Sequence, residues 1–313
     1  MTRPDVLDWL LDSDPAIRWQ VLRDLTDASP MEIQRERERV ANQGWGARLL
    51  ALQGTDGQWA GGTYWPAYDD DPDSQPWTAT TYSLLLLRDF GLNPSGREAR
   101  QAIALVRANS RWEEGNQPFF DGEVEPCING MTVALGAYFG ENVDEMVERL
   151  TREQLADGGW NCEAGRGSTR SSFHTTICVL DGLLEHERST GGTVESREAR
   201  HRAEEYLLDR RLLRRESTRE LISRDWLQFS YPTRWFYDVL RGLDYFRAAG
   251  GARDNRLEEA VEVLRSKEQP DGRWLLENTH PGKVHFPLED GDGQPSPWNT
   301  LRALRVLRWY EGS

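Results

Sequence analysis

The chain has 313 residues and a formal net charge of −14, so nucleic acid is not expected as a partner, because phosphate binding needs a concentrated basic face. Its three cysteines, an odd number in a long chain, argue against a disulfide framework and leave metal binding or burial. No stretch reaches the roughly 20 apolar residues of a membrane span, and Met1–Pro15 is acidic without a long apolar core, which gives the expectation of a cytoplasmic protein with no signal peptide.

Two kinds of helical stretch alternate along the sequence. Asp5–Leu11 is a short first amphipathic helix, and Ala16–Leu25 is a more uniformly apolar one. Met31–Leu52 is charged and amphipathic, and Trp77–Phe90 is apolar and closes on Gly91. Gly96–Ala108 is amphipathic again, followed by apolar Cys127–Phe139, which opens at Pro126 and closes on Gly140. The pattern continues with amphipathic Val143–Leu155, apolar Ser171–Leu184, amphipathic Arg197–Asp209, apolar Pro232–Phe246, amphipathic Asn255–Glu268 and apolar Pro297–Tyr310. Apolar residues at three- and four-residue steps mark a helix with one buried face, whereas a helix apolar on most sides is buried on most sides. Proline at a first turn and glycine just past a last one are the expected punctuation.

Three amphipathic stretches end in nearly the same words: Gln53–Gly54–Thr55–Asp56–Gly57–Gln58–Trp59, Gln154–Leu155–Ala156–Asp157–Gly158–Gly159–Trp160 and Gln269–Pro270–Asp271–Gly272–Arg273–Trp274. Such self-similarity marks a repeat architecture. Asp-Gly supplies a turn with positive φ, the glutamine can bond free backbone groups at the helix end, and the tryptophan can pack across the junction. With no Pro/Ser-rich linker, residues 1–313 read as one domain. Six inner and six outer helices in strict alternation predict an all-α (α/α)6 toroid around a central cavity, with an open solenoid as the competitor. The long loops Ala60–Pro76, Glu113–Glu125, Asn161–Arg170, Arg214–Tyr231 and Leu275–Ser296 all precede inner helices and would gather at one mouth.

The residues that could carry chemistry sit at those helix entrances. Cys127 begins the third inner helix, Cys162 lies two residues past Trp160, and His174 is on the first turn of the fourth inner helix. A helix N-terminus lowers a thiol pKa, and two thiolates, an imidazole and a fourth position that is free or taken by a carboxylate such as Glu125 suit tetrahedral Zn²⁺. Simple burial of small apolar cysteines is the alternative, and Cys178, inside an apolar run, fits it. A second set comes from the late repeats. Tyr237, Asp238 and His285 are candidates for acid–base steps, and Arg234, Lys283 and a histidine for an anionic group. Trp77, Phe173, Arg234, Trp235, His280 and Trp298 are expected to line the cavity. Salt bridges and caps are the alternative for the polar members. Solvated surface is the alternative for the acidic run Asp69–Asp70–Asp71–Pro72–Asp73 and for the basic group Arg210, Arg211, Arg214 and Arg215.

The Q-x-D-G-x-W turns resemble those of squalene–hopene cyclases and of protein prenyltransferase β subunits, which share an α/α toroid. Gly158–Gly159–Trp160, Gly165–Arg166–Gly167–Ser168, Ser172–Phe173–His174–Thr175–Thr176 and Leu180–Asp181–Gly182–Leu183 are similar to the prenyltransferase segment that supplies a zinc-binding histidine. That resemblance implies Cys127 and His174 as ligands, with Glu125 where the family has an aspartate. The sequence departs from the family upstream of Cys127. Phe119–Phe120–Asp121–Gly122–Glu123–Val124 is acidic where the family carries the arginine and lysine of a diphosphate cradle, which argues against protein prenylation. The acidic run also lacks the D-x-D-D order of the cyclases, because Pro72 stands in its fourth place.

The expectation is therefore a zinc-dependent enzyme that takes a small to medium, partly apolar substrate, with isoprenoids as one class. The alternatives are a non-catalytic binding module with a structural zinc and a metal-free single-domain terpene cyclase.

Overall fold

A computed structural model describes residues 3–67 and 75–312, so the acidic run at 69–73 lies outside the described residues. The fold is all-α. In chain order the helices are α1 (Pro4–Leu11), α2 (Pro15–Leu25), α3 (Pro30–Glu38), α4 (Gly44–Leu50), α5 (Thr80–Asp89), α6 (Arg97–Asn109) and α7 (Pro126–Phe139). They continue with α8 (Asp144–Arg152), α9 (Phe173–Thr190), α10 (Val194–Asp209), α11 (Val239–Ala249), α12 (Glu258–Ser266) and α13 (Pro297–Glu311).

The chain folds into two compact units, each discontinuous in sequence. One comprises Met1–Trp45, Leu207–His280 and Phe286–Ser313, and the other Gly46–Tyr206 with Pro281–His285. In the first unit the apolar helices α11, α13 and α2 are successive neighbours, so the two ends of the chain pack together. Asp244 on α11 draws Arg305 of α13, whose Nε lies 3.0 Å away, together with Arg247 at 2.8 Å. Burial alone would raise the Asp244 pKa, but Arg305, Arg247 and Arg302 hold it well below the usual carboxylate range. In the second unit α5, α7 and α9 stand side by side, α7 in the middle.

The Gln-to-Trp turns repeat the bonds of their tryptophans, whereas the glutamines differ: Gln53 and Gln154 donate to Gly57 O and Gly158 O, and Gln269 to Lys267 O. The indole Nε1 of Trp59, Trp160 and Trp274 donates to the carbonyl ten residues earlier, of Leu49, Leu150 and Leu264, at 2.8, 2.7 and 2.8 Å. The backbone N–H of each tryptophan donates to a threonine hydroxyl at the next apolar helix, Thr80, Thr176 and Thr300, at 3.1, 3.1 and 3.0 Å. Gly57, Gly158 and Gly272 hold positive φ of 82°, 101° and 85°, as the turn requires. Each fully buried indole thus ties the end of one helix to the start of another, which satisfies polar groups that burial would otherwise orphan.

Several helix boundaries differ from the sequence reading; α9, for instance, runs on to Thr190 rather than ending at Leu184. Met31–Leu52 is not continuous, because α3 ends at Glu38 and α4 begins anew at Gly44, where φ is 64°. Trp77 precedes its helix, which starts at Thr80. Pro232 does not open the fifth inner helix. Arg234 takes φ of 56°, outside helical space, and α11 begins only after Asp238, whose carboxylate accepts from Arg241 N at 2.7 Å as an N-cap.

Candidate metal centre

The centre of the second unit is a close crossing of α7 and α9. A Cβ on Gly130 would lie 2.6 Å from the carbonyl oxygen of Cys178, and one on Gly182 would lie 2.4 Å from that of Gly130. Only glycine allows the two backbones this approach. It fixes the start of α7, with Cys127, against the start of α9, with Thr175.

The loop entering α7 is held independently. The Asn129 side chain donates to Glu123 O at 2.6 Å and accepts from Glu123 N at 2.7 Å. Arg149 adds bonds to the carbonyls of Glu123 and Val124 at 2.6 and 3.0 Å. The buried Glu123 carboxylate accepts from Glu125 N at 2.7 Å, and its own pKa is raised by burial. These bonds set Glu125 beside Cys127, Sγ to Oε2 3.5 Å.

The loop entering α9 starts from Trp160. Asp157 accepts from Ser171 N at 2.9 Å, and Asn161 donates to Arg170 O at 2.7 Å. Ser172 N returns to Trp160 O at 2.8 Å. The short 3-10 turn Cys162–Arg166 is thereby held over the helix start. Cys162 Sγ lies 3.0 Å from Cys127 Sγ and 3.4 Å from the Thr175 hydroxyl.

Glu125, Cys127 and Cys162 therefore offer one carboxylate oxygen and two sulfurs, all within 4.8 Å of one another. The two thiols interact as a pair. The hydrogen bond with Cys162, then burial, pushes Cys127 up, while the same bond and the Thr175 hydroxyl pull Cys162 down despite its burial. None of the three cysteines is in a disulfide, and Cys178 is buried within α9. His174, half-buried on the first turn of α9, is not brought into the 4.8 Å set.

Aromatic side chains adjoin this centre. The hydroxyls of Tyr64 and Tyr82 are 3.0 Å apart. Burial, chiefly, raises both pKa values. Trp77 packs edge-on to Tyr82 at 4.8 Å and gives its Nε1 to Pro281 O at 2.8 Å. His285 Nε2 is 2.8 Å from the Ser83 hydroxyl of α5. Sequence reasoning missed Thr175, Asn129 and the tyrosine pair as members of this group. Asn129 and Thr175 stand within two residues of Cys127 and His174, but an amide and a hydroxyl there form no recognisable pattern, and Tyr64 and Tyr82 are brought from the loop before α5 and from α5 itself.

Most of the remaining candidates belong to the first unit. The Tyr237 hydroxyl donates to Leu212 O at 2.7 Å. Asp238 accepts from both Arg241 N and Ser230 N, and burial raises its pKa against the pull of Arg302. Both groups thus have structural tasks. Trp298 is buried between Tyr231 at 4.3 Å and Trp45 at 6.2 Å. Trp235, Phe236 and His280 form a three-ring stack with centroids 3.8 and 4.0 Å apart. Arg234 is buried beside them in sequence, at 9 % exposure. In the second unit Phe173 is buried against Tyr206 at 5.4 Å. Trp77, Phe173 and Trp298 are therefore packed into the protein core.

No protein-family model matches the sequence, and no curated protein matches it. Among solved structures, the chain is similar to the type II terpene cyclase MstE from Scytonema, a substituted form in complex with its substrate geranylgeranyl dihydroxybenzoate. The two are 16% identical, with 95% of this chain and 85% of that one covered and a TM-score of 0.40.

Proposed function

We propose that this protein is an enzyme that holds one zinc ion through Glu125, Cys127 and Cys162 and acts on a small to medium, partly apolar molecule. The observation that carries the reading is the convergence of two sulfurs and a carboxylate within 4.8 Å at the entrances of two neighbouring helices. The donor set fits the ion: sulfur and oxygen are ordinary zinc ligands, and three protein donors leave a fourth position open, as in catalytic sites. When bound, zinc would supply Lewis-acid polarisation of a substrate oxygen or activation of a bound thiol or water. Glu125 and Cys127 would be oriented by the Asn129–Glu123–Arg149 network, as outer-shell groups orient ligands elsewhere. The phenols of Tyr64 and Tyr82 would offer an apolar wall with a polar tip to the substrate. The His285–Ser83 pair is the candidate for moving a proton in this unit.

His174 is the residue on which the catalytic reading and its rival divide. If it completes a four-ligand shell, the metal is structural and the protein is a binding module. Elemental analysis should give about one zinc per chain, lost in Cys127→Ala and Cys162→Ala and retained in Cys178→Ala. Cobalt-substituted protein should show sulfur-to-metal charge transfer, and His174→Ala should leave it unchanged if three residues hold the ion. Absence of zinc from the wild type after metal-replete expression would remove the proposal. The resemblance of the repeat turns makes isoprenoids the first substrate class to test, by product analysis with farnesyl and geranylgeranyl diphosphates.

A further inference from the structure

We infer that Cys127 and Cys162 are an oxidation site, forming a reversible disulfide with each other. The inference shares its sulfurs with the zinc proposal but does not require it, because the sulfurs meet through the protein's own packing. They lie 3.0 Å apart, and bonding at about 2.05 Å asks for an approach of about 1 Å. The two ends are unequal in a way that permits this. Cys127 is fixed on α7, which the Gly130–Gly182 crossing locks to α9. Cys162 sits on a short surface turn whose neighbours Glu163, Gly165, Arg166 and Gly167 are exposed. A Cβ at Gly165 or Gly167 would meet nothing within 4 Å, so no packed wall stands behind the turn. Cys178 has no part in the reaction, since it is fully buried on α9.

With a peroxide as oxidant, the chemistry closes on the two residues. The Cys162 sulfur, as thiolate, attacks one peroxide oxygen. The O–O bond breaks, hydroxide leaves, and Cys162 becomes a sulfenic acid. The Cys127 sulfur then attacks that sulfur, the S–O bond breaks, and the departing hydroxide takes up the proton from the Cys127 thiol. The first hydroxide is protonated by solvent, so that two thiols and one hydrogen peroxide yield one disulfide and two waters. A dithiol reductant reverses the product by exchange. Neither sulfur in that state can serve as a thiolate ligand, so metal binding and oxidation exclude one another.

The test uses the full chain, freed of metal and treated with hydrogen peroxide at low molar excess. Mass spectrometry should show loss of two hydrogens, and peptide mapping under non-reducing conditions should find Cys127 joined to Cys162. Dithiothreitol should restore the starting mass, Cys178→Ser should behave as wild type, and Cys127→Ser and Cys162→Ser should each stop at a sulfenic or further oxidised sulfur. Because a serine variant can disturb folding, the decisive readout is the cross-link in the wild type. Its absence while the thiols oxidise separately, or a cross-link involving Cys178, overturns the inference. A parallel arm adds zinc before peroxide. Protection of at least about tenfold in rate supports the shared use of the sulfurs. Cross-linking without zinc protection leaves the disulfide standing and removes the zinc proposal. Zinc binding without cross-linking does the reverse.

Discussion

Replacing Gly130 by alanine tests the packing on which the candidate centre depends. The new methyl would lie 2.6 Å from Cys178 O, 2.7 Å from its carbonyl carbon and 2.7 Å from Val179 Cα. All three are backbone atoms, so relief cannot come from turning a side chain. Reaching an ordinary 3.4 Å contact moves α7 and α9 apart by about 0.8 Å. Overpacking of this kind costs about 1–3 kcal/mol. Alanine returns roughly 1 kcal/mol of helix propensity over glycine. A net loss of up to roughly 2 kcal/mol is therefore expected in urea denaturation of the metal-free protein. Cys127 is one turn away on the same helix, and a displacement above about 0.5 Å spoils a preorganised site. Zinc affinity, measured by competition with a chromophoric chelator, should fall about tenfold, or roughly 1.4 kcal/mol. Gly251→Ala, where a Cβ meets nothing within 4 Å, should change neither quantity by much. A Gly130→Ala protein as stable as wild type, with unchanged zinc affinity, would refute the reasoning.

Other substitutions probe the first unit and the repeat turns. Asp244→Asn leaves Arg305, Arg247 and Arg302 without their shared carboxylate and should cost about 3–5 kcal/mol by denaturation at pH 7. The folded-state pKa of Asp244 is depressed. Its stabilisation is therefore full above the ordinary carboxylate pKa and fades as pH falls through the lower folded value; the wild-type advantage over Asp244→Asn should shrink on acidification. Glu289 carries the opposite sign. Burial lifts its pKa to about 8 even though Ser296 donates to it at 2.7 Å, so it folds neutral. Stability should fall as pH rises from about 4.5 toward 8, and Glu289→Gln should gain on wild type at pH 9 by up to roughly 4 kcal/mol, measured against pH 5. Trp160→Phe removes the indole bond to Leu150 O and orphans that carbonyl at a buried junction; a loss of about 1–3 kcal/mol is expected in thermal or urea unfolding.

Periodicity and punctuation made much of the fold legible in the sequence. The tryptophans of the three turns form equivalent bonds because leucine, Asp-Gly and tryptophan recur at the same spacing, and hydrogen bonds over ten residues are local; Gln269 stands one residue nearer its tryptophan and bonds Lys267 O instead. Helix ends were readable where a proline or glycine marks them, as at Pro126, Gly140 and Pro297. They were misread at Pro232, which looks like a helix start, although Arg234 takes φ of 56° and the local cap Asp238 sets the true start six residues later. The stretch after Glu38 breaks at Gly44, a glycine the sequence reading passed over, and there Asp14 accepts from Trp45 N at 2.8 Å.

By itself the sequence determined which segments are helical, which of their faces are apolar, and that Glu125 and Cys127 share one helix entrance, because these depend on neighbours within a few residues. Only the tertiary structure decided that Cys162 reaches Cys127 while His174 stays outside the set, that the Tyr237 hydroxyl serves the Leu212 carbonyl, and that Trp77, Phe173 and Trp298 are packed into the core. The physical reason is distance along the chain: these choices rest on the approach of α7 and α9 through Gly130 and Gly182, and on phenol and indole partners found tens of residues away. No pattern of adjacent residues encodes such contacts.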